Sequence, residues 1–478
     1  MAAGSFLFEN KVRPGCYIQI KGVPKASANM SERGTVVILM NCDSGNLITE
    51  ISANDILTGG SSALGFPLSS FTDTKSILNY VYPYVNKIIV GRLNSGGTKA
   101  SALILGTSEA PQLTATAKFD GLSGNNISVM IVAEASGEGK YKGEGFFVRT
   151  SMSGEVVDEQ NIKLPSELND NDYVKFTKTA ALSALSAVAA IDLAGGSNGT
   201  ESDSNLTKIL GKLTGMSWNT LGFCGKDANK TVISTYINNL REKKGKYRQA
   251  VLFNDGAADY EGVISPFQAF AVDDDDVDWL ETEQSDPAEE ASRQEALKLR
   301  QMFAVGFVAA ITAGSDVNVS NTYAPVPSNV IEVIPAPDED EDVEGDLLAG
   351  LLTFTHNSNN VIVIEKDINT LHTYTQTRTA PFSKNRVIRC LDELSNTKVM
   401  VWEEMFIGKI DNNVTGRNLL KTQILKIIQN LVKLGALNDS DTQIIVEPGD
   451  DPDKVRSYET VRPIDAMEQL YSYVTVLG

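Results

Sequence analysis

TVVILMN, residues 35–41, is an uninterrupted run of mainly apolar and β-branched residues. Runs of this kind are typical of strands that are buried on both faces of a parallel sheet. A second such run, KIIVGRL, occupies residues 87–93, and the segment 72–86 between the two has apolar residues at helical spacing. This β-α-β order predicts an α/β domain.

The same alternation of predicted helices and strands returns after residue 202. Helix-like NLTKILGKL precedes the apolar run TLGFCG, and TVISTYINNLREKKG precedes QAVLFND. Helices that alternate with short apolar strands predict a parallel sheet with crossover helices. Residues 293–314 then predict a long helix, with an irregularity at Gly306 because glycine weakens a helix interior.

Between these two parts the pattern changes. Residues 98–165 hold short alternating strands and glycine-rich turns, for example NISVMIVAEA at 126–135. This pattern predicts a small β-sandwich inserted into the α/β domain. The alanine-rich stretch 177–193 that follows predicts a helix that stops at Gly195-Gly196.

Composition indicates a globular protein of several domains. The chain has 478 residues, of which 42% are hydrophobic and 22% charged, and this length suggests roughly two to four domains. A formal charge of −19 disfavours binding to nucleic acid or to an anionic membrane. No apolar run approaches the ~20 residues of a membrane span, and the N-terminus lacks a secretory pattern. We therefore expect folding in a cytoplasm.

Side chains suited to metal binding or acid–base catalysis are few and scattered. The four cysteines, Cys16, Cys42, Cys224 and Cys390, form no C-x-x-C pair, which favours buried free thiols over a zinc site or a disulfide framework. The chain has two histidines and shows neither a phosphate loop nor a zinc-binding helix motif. We therefore predict no metal and no cofactor.

Two acidic stretches, DDDDVDWLE at 273–281 and PDEDEDVEGD at 337–346, raise the question of Ca²⁺ binding. An EF-hand loop places a glycine at its sixth position, but counting from Asp274 that position holds Trp279. The acidic stretches are therefore predicted to be solvated loops.

GGSNG, residues 195–199, matches the G-x-S-x-G pattern of a hydrolase nucleophile. That motif requires a strand before the serine and a helix after it. Here a predicted helix precedes the serine, so the glycines are better interpreted as a helix stop and a linker. An α/β hydrolase that uses Ser197, with His356 and Asp392 downstream, remains the alternative function.

Residues 412–437 contain no acidic side chain, although the chain is strongly acidic. Lys426 and Lys433 lie on the side opposite to an apolar stripe at helical spacing. The stripe consists of Leu420, Ile424, Ile427, Ile428, Leu431 and Leu434. One interpretation is a core helix with a solvated basic face. The other is a positive strip that faces an acidic partner.

Each end of the chain carries a candidate strand. RPGCYIQI, residues 13–20, starts at a turn signal and then alternates between two faces, and YSYVTV, residues 471–476, also alternates. A lone strand near a terminus cannot bury its own face or pair its own backbone groups. Each therefore needs a sheet to join, in this molecule or in another.

The two ends also resemble a known family. RPGCYIQI is similar to the start of contractile phage tail sheath proteins, with Cys16 in place of an aliphatic residue, and RPIDAMEQLYSYVTVLG resembles their ending. LTATAKFDGLSGNNISVMI (113–131) is similar to their inserted β-sandwich, and RVIRCLDELSNTKV with FIGKIDNNVTGRNLLK resembles their C-terminal domain. The likeness runs in order over essentially the whole chain.

This resemblance implies a structural subunit rather than an enzyme. Such subunits polymerise helically around an inner tail tube and contract to drive the tube through a target cell envelope. The implied partners are further copies of the chain, the tube protein, and baseplate and terminator proteins, without nucleic acid or membrane insertion. The location is a virion tail or the tail of a phage-like particle such as a bacteriocin, assembled in a host bacterial cytoplasm.

The resemblance also implies a fold and a set of contacts. The fold class is α/β plus β, with a subtilisin-like α/β middle domain, an inserted β-sandwich and a mixed α+β C-terminal domain that exchanges terminal strands. The basic helix corresponds roughly to the tube-facing part, which assigns Lys426 and Lys433 to the tube. Inter-subunit strand exchange is assigned to Cys16, Tyr17, Ile18, Gln19, Ile20, Tyr473, Val474, Thr475 and Val476.

The expected domain boundaries follow from the same comparison of patterns. They are an N-terminal exchange arm at 1–22, the first part of the α/β domain at 23–96, the inserted sandwich at 97–200, the subtilisin-like domain at 201–351, the C-terminal tube-facing and lattice domain at 352–464, and a C-terminal exchange arm at 465–478.

Overall fold

The computed structural model describes seven parts of the chain, namely residues 2–4, 15–17, 33–52, 64, 77–272, 274–336 and 340–476. The strands that it contains are, in chain order, β1 Ala2–Gly4, β2 Gly15–Tyr17, β3 Thr35–Met40, β4 Ile48–Ser52, β5 Lys87–Arg92, β6 Asn94–Ser95, β7 Ser101–Gly106, β8 Pro111–Ala117, β9 Ile127–Ala133, β10 Phe146–Met152, β11 Glu155–Ile162, β12 Val174–Lys178, β13 Val188–Asp192, β14 Thr200–Glu201, β15 Thr220–Phe223, β16 Gln249–Leu252, β17 Val263–Ile264, β18 Ala269–Ala271, β19 Glu332–Ile334, β20 Phe354–His356, β21 Ile362–Ile364, β22 Leu437–Pro448 and β23 Val455–Pro463.

The α-helices alternate with these strands in the middle of the chain and dominate its last third. They are α1 Asp203–Leu213, α2 Lys230–Lys244, α3 Asp274–Glu281, α4 Pro287–Gly314, α5 Asp340–Leu348, α6 Asn385–Val401 and α7 Val414–Lys433. A π-helical turn, Trp402–Phe406, continues α6.

A six-stranded sheet of order β17-β16-β15-β3-β5-β4 forms the centre of the molecule. Its strands are parallel except β4, which runs antiparallel to β5 at one edge. The apolar run at 35–41 forms β3, between β15 and β5, and Val36–Leu39 have no exposed surface. The prediction of a strand buried on both faces is confirmed.

Alternation along β3 divides the core into two layers. Val36 and Ile38 belong to the same apolar cluster as Phe303 and Phe307 of α4. Val37 and Leu39 instead belong to a second cluster with residues of α1 and α2. Because successive side chains of a strand point to opposite faces, the sheet carries α4 on one face and α1 and α2 on the other.

Helix α4 is the main core helix. It has the length and composition of a membrane-crossing helix, but 56% of its apolar window is buried inside the protein. The predicted irregularity at Gly306 is wrong, since α4 continues through it. A Cβ on Gly306 would lie 3.2 Å from side-chain atoms of Ile77 and Val81, so the glycine serves close packing rather than a break in the helix.

An insertion between β6 and β14 forms two antiparallel sheets, of order β11-β10-β9-β13 and β12-β8-β7. Buried residues of both sheets, such as Val129 and Leu113, share one apolar cluster, as the alternating pattern predicts for a sandwich. The antiparallel pair of β6 and β14 closes its base.

Three local predictions are wrong. The alanine-rich stretch 177–193 is not a helix, because β13 pairs with β9 at the sheet edge and this tertiary pairing overrides the high helix propensity of alanine. The two acidic stretches are not loops but contain α3 and α5. Aspartates in the first turn of a helix interact favourably with its dipole, which the charge count alone does not indicate.

The last third of the chain packs α6, α7 and the hairpin β22–β23 around a separate apolar cluster. Ion pairs and hydrogen bonds join it to the α/β part. Arg241 of α2 donates to both carboxylate oxygens of Asp392 of α6, each at 2.7 Å. Asn396 exchanges hydrogen bonds with the backbone of Tyr247 at 2.9 and 3.0 Å.

Candidate assembly interface

The hairpin β22–β23 presents open edges. Its strands pair from Leu437 and Pro463 to Pro448 and Val455, with a register irregularity between Asn438 and Gln443. Within the described residues no third strand joins either edge. An open edge exposes a row of backbone donors and acceptors that can pair with another strand. The hairpin is therefore a template for strand addition.

The two faces of the hairpin differ. Ile444 and Val446 face inward and belong to the cluster with α7. Ile445 and Tyr458 are directly opposite each other across the strands and are 55% and 53% exposed. The hairpin thus packs one apolar face against α7 and exposes an apolar pair on its other face. A strand added at an edge would extend both faces.

The segment after β23 is apolar and uncovered. Its backbone is held once, where the N–H of Ile464 donates to the carbonyl of Ala436 at 2.9 Å. Beyond that point six large apolar side chains are 75% to 103% exposed, namely Met467, Leu470, Tyr471, Tyr473, Val474 and Val476. Exposed apolar stretches of this extent mark interaction sites.

The strand predicted at 471–476 is not formed within the chain. Tyr473, Val474, Thr475 and Val476 are exposed and have no strand partner within the described residues. The physical reason is that a strand exists only when a neighbouring strand satisfies its backbone groups.

The N-terminal site residues are only partly described. Cys16 and Tyr17 lie in β2, which pairs in parallel with β1 of the same chain. Ile18, Gln19 and Ile20 lie outside the described residues.

Helix α7 has the predicted two-sided character. The apolar residues at positions 420, 424, 427, 428 and 431 are buried, whereas Leu434 follows the helix end and is 44% exposed, which corrects its assignment to the stripe. Lys426 and Lys433 are exposed. Asn413 caps the helix by accepting a hydrogen bond from the N–H of Gly416 at 2.9 Å.

An apolar groove of about 310 Å³ is lined by residues of α6, its π-helical turn, α7 and the start of β23. Val401, Trp402, Ile424 and Val455 line it. Trp402 stacks on Phe406 with ring centroids 5.6 Å apart and is 36% exposed. The groove lies along β23, so a strand added at that edge would place side chains above it.

Comparison with known proteins identifies the family. Residues 199–370 match the model of the phage tail sheath protein central domain, and residues 377–476 match that of the phage tail sheath C-terminal domain. The chain belongs to the phage tail sheath proteins. It is thus a structural component of the tail of a phage or phage-like particle, in which sheaths are oligomeric.

Relatives of this sheath protein match nearly its full length. The phage-like element PBSX protein XkdK of Bacillus subtilis (strain 168) is 28% identical over 505 residues and covers 100% of both chains. The sheath tail protein of Desulfitobacterium hafniense superposes with a TM-score of 0.73 at 28% identity, over 94% of this chain and 100% of that chain.

Two further structures share the fold. The sheath tail protein Lin1278 of Listeria innocua has a TM-score of 0.69 at 23% identity and covers 92% of this chain and 93% of its own. A chain of the anti-feeding prophage baseplate has a TM-score of 0.52 at 11% identity and covers 97% and 99%. The prediction of a multidomain α/β fold is confirmed.

The residues of the alternative hydrolase site do not form a catalytic triad. The Oγ of Ser197 lies 2.9 Å from Oγ1 of Thr98, and the strand β14 rather than a helix follows it. His356 instead lies 3.6 Å from Glu332, and Asp392 pairs with Arg241. Burial alone would lower the pKa of Arg241, but pairing with Asp392 raises it above its ordinary value.

A polar network joins the insertion to the carboxyl ends of β3 and β5 in this sheath protein. Asn94 accepts from the N–H of Cys42 at 2.8 Å and donates to the carbonyls of Cys42 and Asn198 at 2.9 and 2.6 Å. Arg92 also pairs with Asp120 of the insertion. The insertion thus contacts this end of the sheet through Asn198 and Asp120.

In the part of the chain that the structure describes, no group of three or more His, Cys, Asp or Glu side chains could hold a metal ion. Cys42, Cys224 and Cys390 are free and buried, as predicted. Burial raises the pKa of each of these thiols to about 12, so they are unreactive at neutral pH.

Proposed function

We propose that this sheath protein polymerises helically around an inner tail tube and contracts to drive the tube through a target cell envelope. The observation that carries the proposal is the combination of an open-edged hairpin with an uncovered apolar C-terminal segment in one chain. Each feature needs a strand partner, and a second copy supplies both. The likeness to sheath tail proteins over more than nine tenths of the chain supports the same conclusion.

The two terminal segments would add strands to the hairpins of neighbouring subunits. Strand addition uses backbone hydrogen bonds for affinity and alternate side chains for register. In the C-terminal segment Tyr473 and Thr475 would point to one face and Val474 and Val476 to the other. At the N-terminus the exchanging residues would be those at 16–20, released from the contact with β1.

Contraction by this mechanism needs no fuel in the subunit. The extended lattice would be a stored higher-energy state that repacks when a trigger at one end releases it. Flexible exchanged segments would keep the subunits connected while they move. The α/β middle would then be a subtilisin-like scaffold without catalytic activity, since a fold does not carry activity by itself.

The proposed setting is a virion tail or the tail of a phage-like particle, assembled in a host bacterial cytoplasm. The partners would be the tube protein along the inner surface, and baseplate and terminator proteins at the two ends. Helix α7 would face the tube through Lys426 and Lys433, which are exposed and free of acidic neighbours in sequence.

Negative-stain electron microscopy tests the proposal. The full-length protein is compared with a version that lacks residues 1–20 and a version that lacks residues 469–476. We expect striated tubes or rings from the full-length protein and single particles from both truncations, each with an unchanged melting temperature. Tubes from both truncations would refute strand exchange. Single particles from all three versions, even with tube protein added, would refute the sheath assembly itself.

A further inference from the structure

The C-terminal segment is anchored at a second point, five residues beyond the end of β23. Glu468 accepts a hydrogen bond from Oγ1 of Thr322 at 3.1 Å and a charged hydrogen bond from Nζ of Lys384. The side chains of Lys384 and Glu468 are 16% and 14% exposed, and Asp465 lies 3.7 Å from the same ammonium group. A carboxylate with two donors at this low exposure is a specific contact rather than a solvated surface pair.

The two groups that hold Glu468 are rigid. Oγ1 of Thr322 accepts the N–H of Asp367 at 3.0 Å. Lys384 directly precedes α6, and the next residue, Asn385, donates to the carboxylate of Asp367 at 2.8 Å. Arg389 pairs with the same buried carboxylate at 3.1 Å. Glu468 is thus tied to a buried polar network and not to a mobile loop.

Glu468 is the last anchor before the exchange segment. Among the described residues, the hydrogen bonding beyond it stays within the segment, from Oη of Tyr471 to Oε1 of Gln469 at 3.3 Å. Gln469 lies at the rim of a cleft of about 600 Å³ that also contains Tyr323 and Tyr374. Hydrogen bonds therefore hold the C-terminal segment to the rest of the subunit up to residue 468, and not only up to residue 464.

We propose that Thr322 and Lys384 are positioning residues that act through Glu468 to set the direction in which the C-terminal exchange segment leaves the subunit. This inference rests on the strand exchange proposed above. Ordering one backbone residue costs about 1–2 kcal/mol of conformational entropy. By holding residues 465–468 in the free subunit, the contact removes four residues from the set that must be ordered when a neighbour binds.

The test uses full-length protein under conditions in which the wild type forms tubes. Glu468→Ala and Lys384→Ala are compared with the charge-swapped double variant Lys384→Glu/Glu468→Lys, and with Glu295→Ala, an exposed glutamate of α4, as the matched control. Melting temperature measures the fold, and electron microscopy with sedimentation measures tube yield. We expect each single variant to lose at least about tenfold in tube yield at an unchanged melting temperature, and the swap and the control to keep tubes.

The outcomes separate this inference from strand exchange. Normal tubes from Glu468→Ala, with loss on deletion of 469–476, would overturn the positioning role and leave strand exchange intact. Losses in both single variants without rescue by the swap would also overturn it, because they would trace the effect to local packing instead of the ion pair. Tubes from the 469–476 deletion would refute exchange of the C-terminal segment, on which this inference rests.

Discussion

Glu134 shows how one side chain organises a loop in the inserted sandwich. Its carboxylate accepts the backbone N–H groups of Tyr141, Gly143 and Gly145 at 3.0, 3.2 and 2.9 Å, and Asn161 adds a fourth donor. Burial tends to raise the pKa of Glu134, but the backbone donors outweigh it and hold the pKa below its ordinary value. The loop 135–145 therefore depends on a charged carboxylate.

This arrangement predicts acid sensitivity at the residue scale. A carboxyl group whose pKa is lower in the folded state stabilises the fold above its unfolded pKa, about 4.3 for glutamate, and loses this contribution as pH falls through the folded pKa. We expect Glu134→Gln to melt at a lower temperature than wild type at pH 7, with the difference shrinking below about pH 4. Fluorescence-monitored melting from pH 7 to pH 3 measures this.

The control for Glu134 is Glu138→Gln in the same loop, whose side chain is exposed. Its melting temperature is expected to follow that of wild type at every pH. An equal effect in both variants, or a Glu134→Gln difference independent of pH, would contradict the role of the charge.

Helix α7 has two sides of different character. Its buried side, with Ile424, Ile427 and Leu431, holds the hairpin, and its exposed side carries Lys426 and Lys433. A positive strip in a chain of net charge −19 favours an acidic partner surface. The amphipathic pattern predicted the buried side, but it could not decide whether the basic side meets solvent or a partner.

Reversing the charge of this strip tests its role. Lys426→Glu/Lys433→Glu is expected to stop co-assembly with tube protein while sheath-only polymers still form, because like charges then oppose each other across the interface. Co-sedimentation with purified tube protein measures it. Lys208→Glu/Lys212→Glu on the exposed side of α1 makes the same charge change elsewhere. Full tube binding by the α7 variant, or loss in both variants, would contradict a specific tube contact.

At the scale of the whole molecule, polar contacts hold the α/β part and the C-terminal part as one body. The carboxylate of Asp392 is fully occupied by Arg241, and both side chains are at most 9% exposed. Gln249 at the sheet end donates to Asn385 at 3.1 Å beside them. These contacts connect the two parts within one subunit.

Removing Asp392 should therefore weaken the whole subunit. Breaking a buried pair leaves an uncompensated charge and costs about 3–5 kcal/mol, so we expect Asp392→Ala to lower the free energy of unfolding by that amount in chemical denaturation. Lys243→Ala, an exposed charge on the same helix as Arg241, should change it by less than about 0.5 kcal/mol. A small effect of Asp392→Ala would show that the two parts do not depend on this pair.

The sequence by itself determined the features that depend on neighbouring residues. The apolar runs at 35–41 and 87–93 form central strands, and residues 412–437 contain an amphipathic helix. Both were predictable because the spacing of buried residues is visible in the local sequence. The alternating pattern at 471–476 predicts a strand, which the chain by itself does not form. The order of motifs along the chain pointed to the family.

Only the tertiary structure decided the features that depend on residues far apart in the chain. The alanine-rich stretch contains the strand β13 because β9 provides an edge with which it pairs. Asp392 belongs to a structural ion pair and not to a triad, because Arg241 lies across the domain contact. Glu468 pairs with Lys384, which lies 84 residues away in the sequence. Long-range pairs of this kind stabilise the protein only when the fold brings their partners together, so no local sequence pattern predicts them.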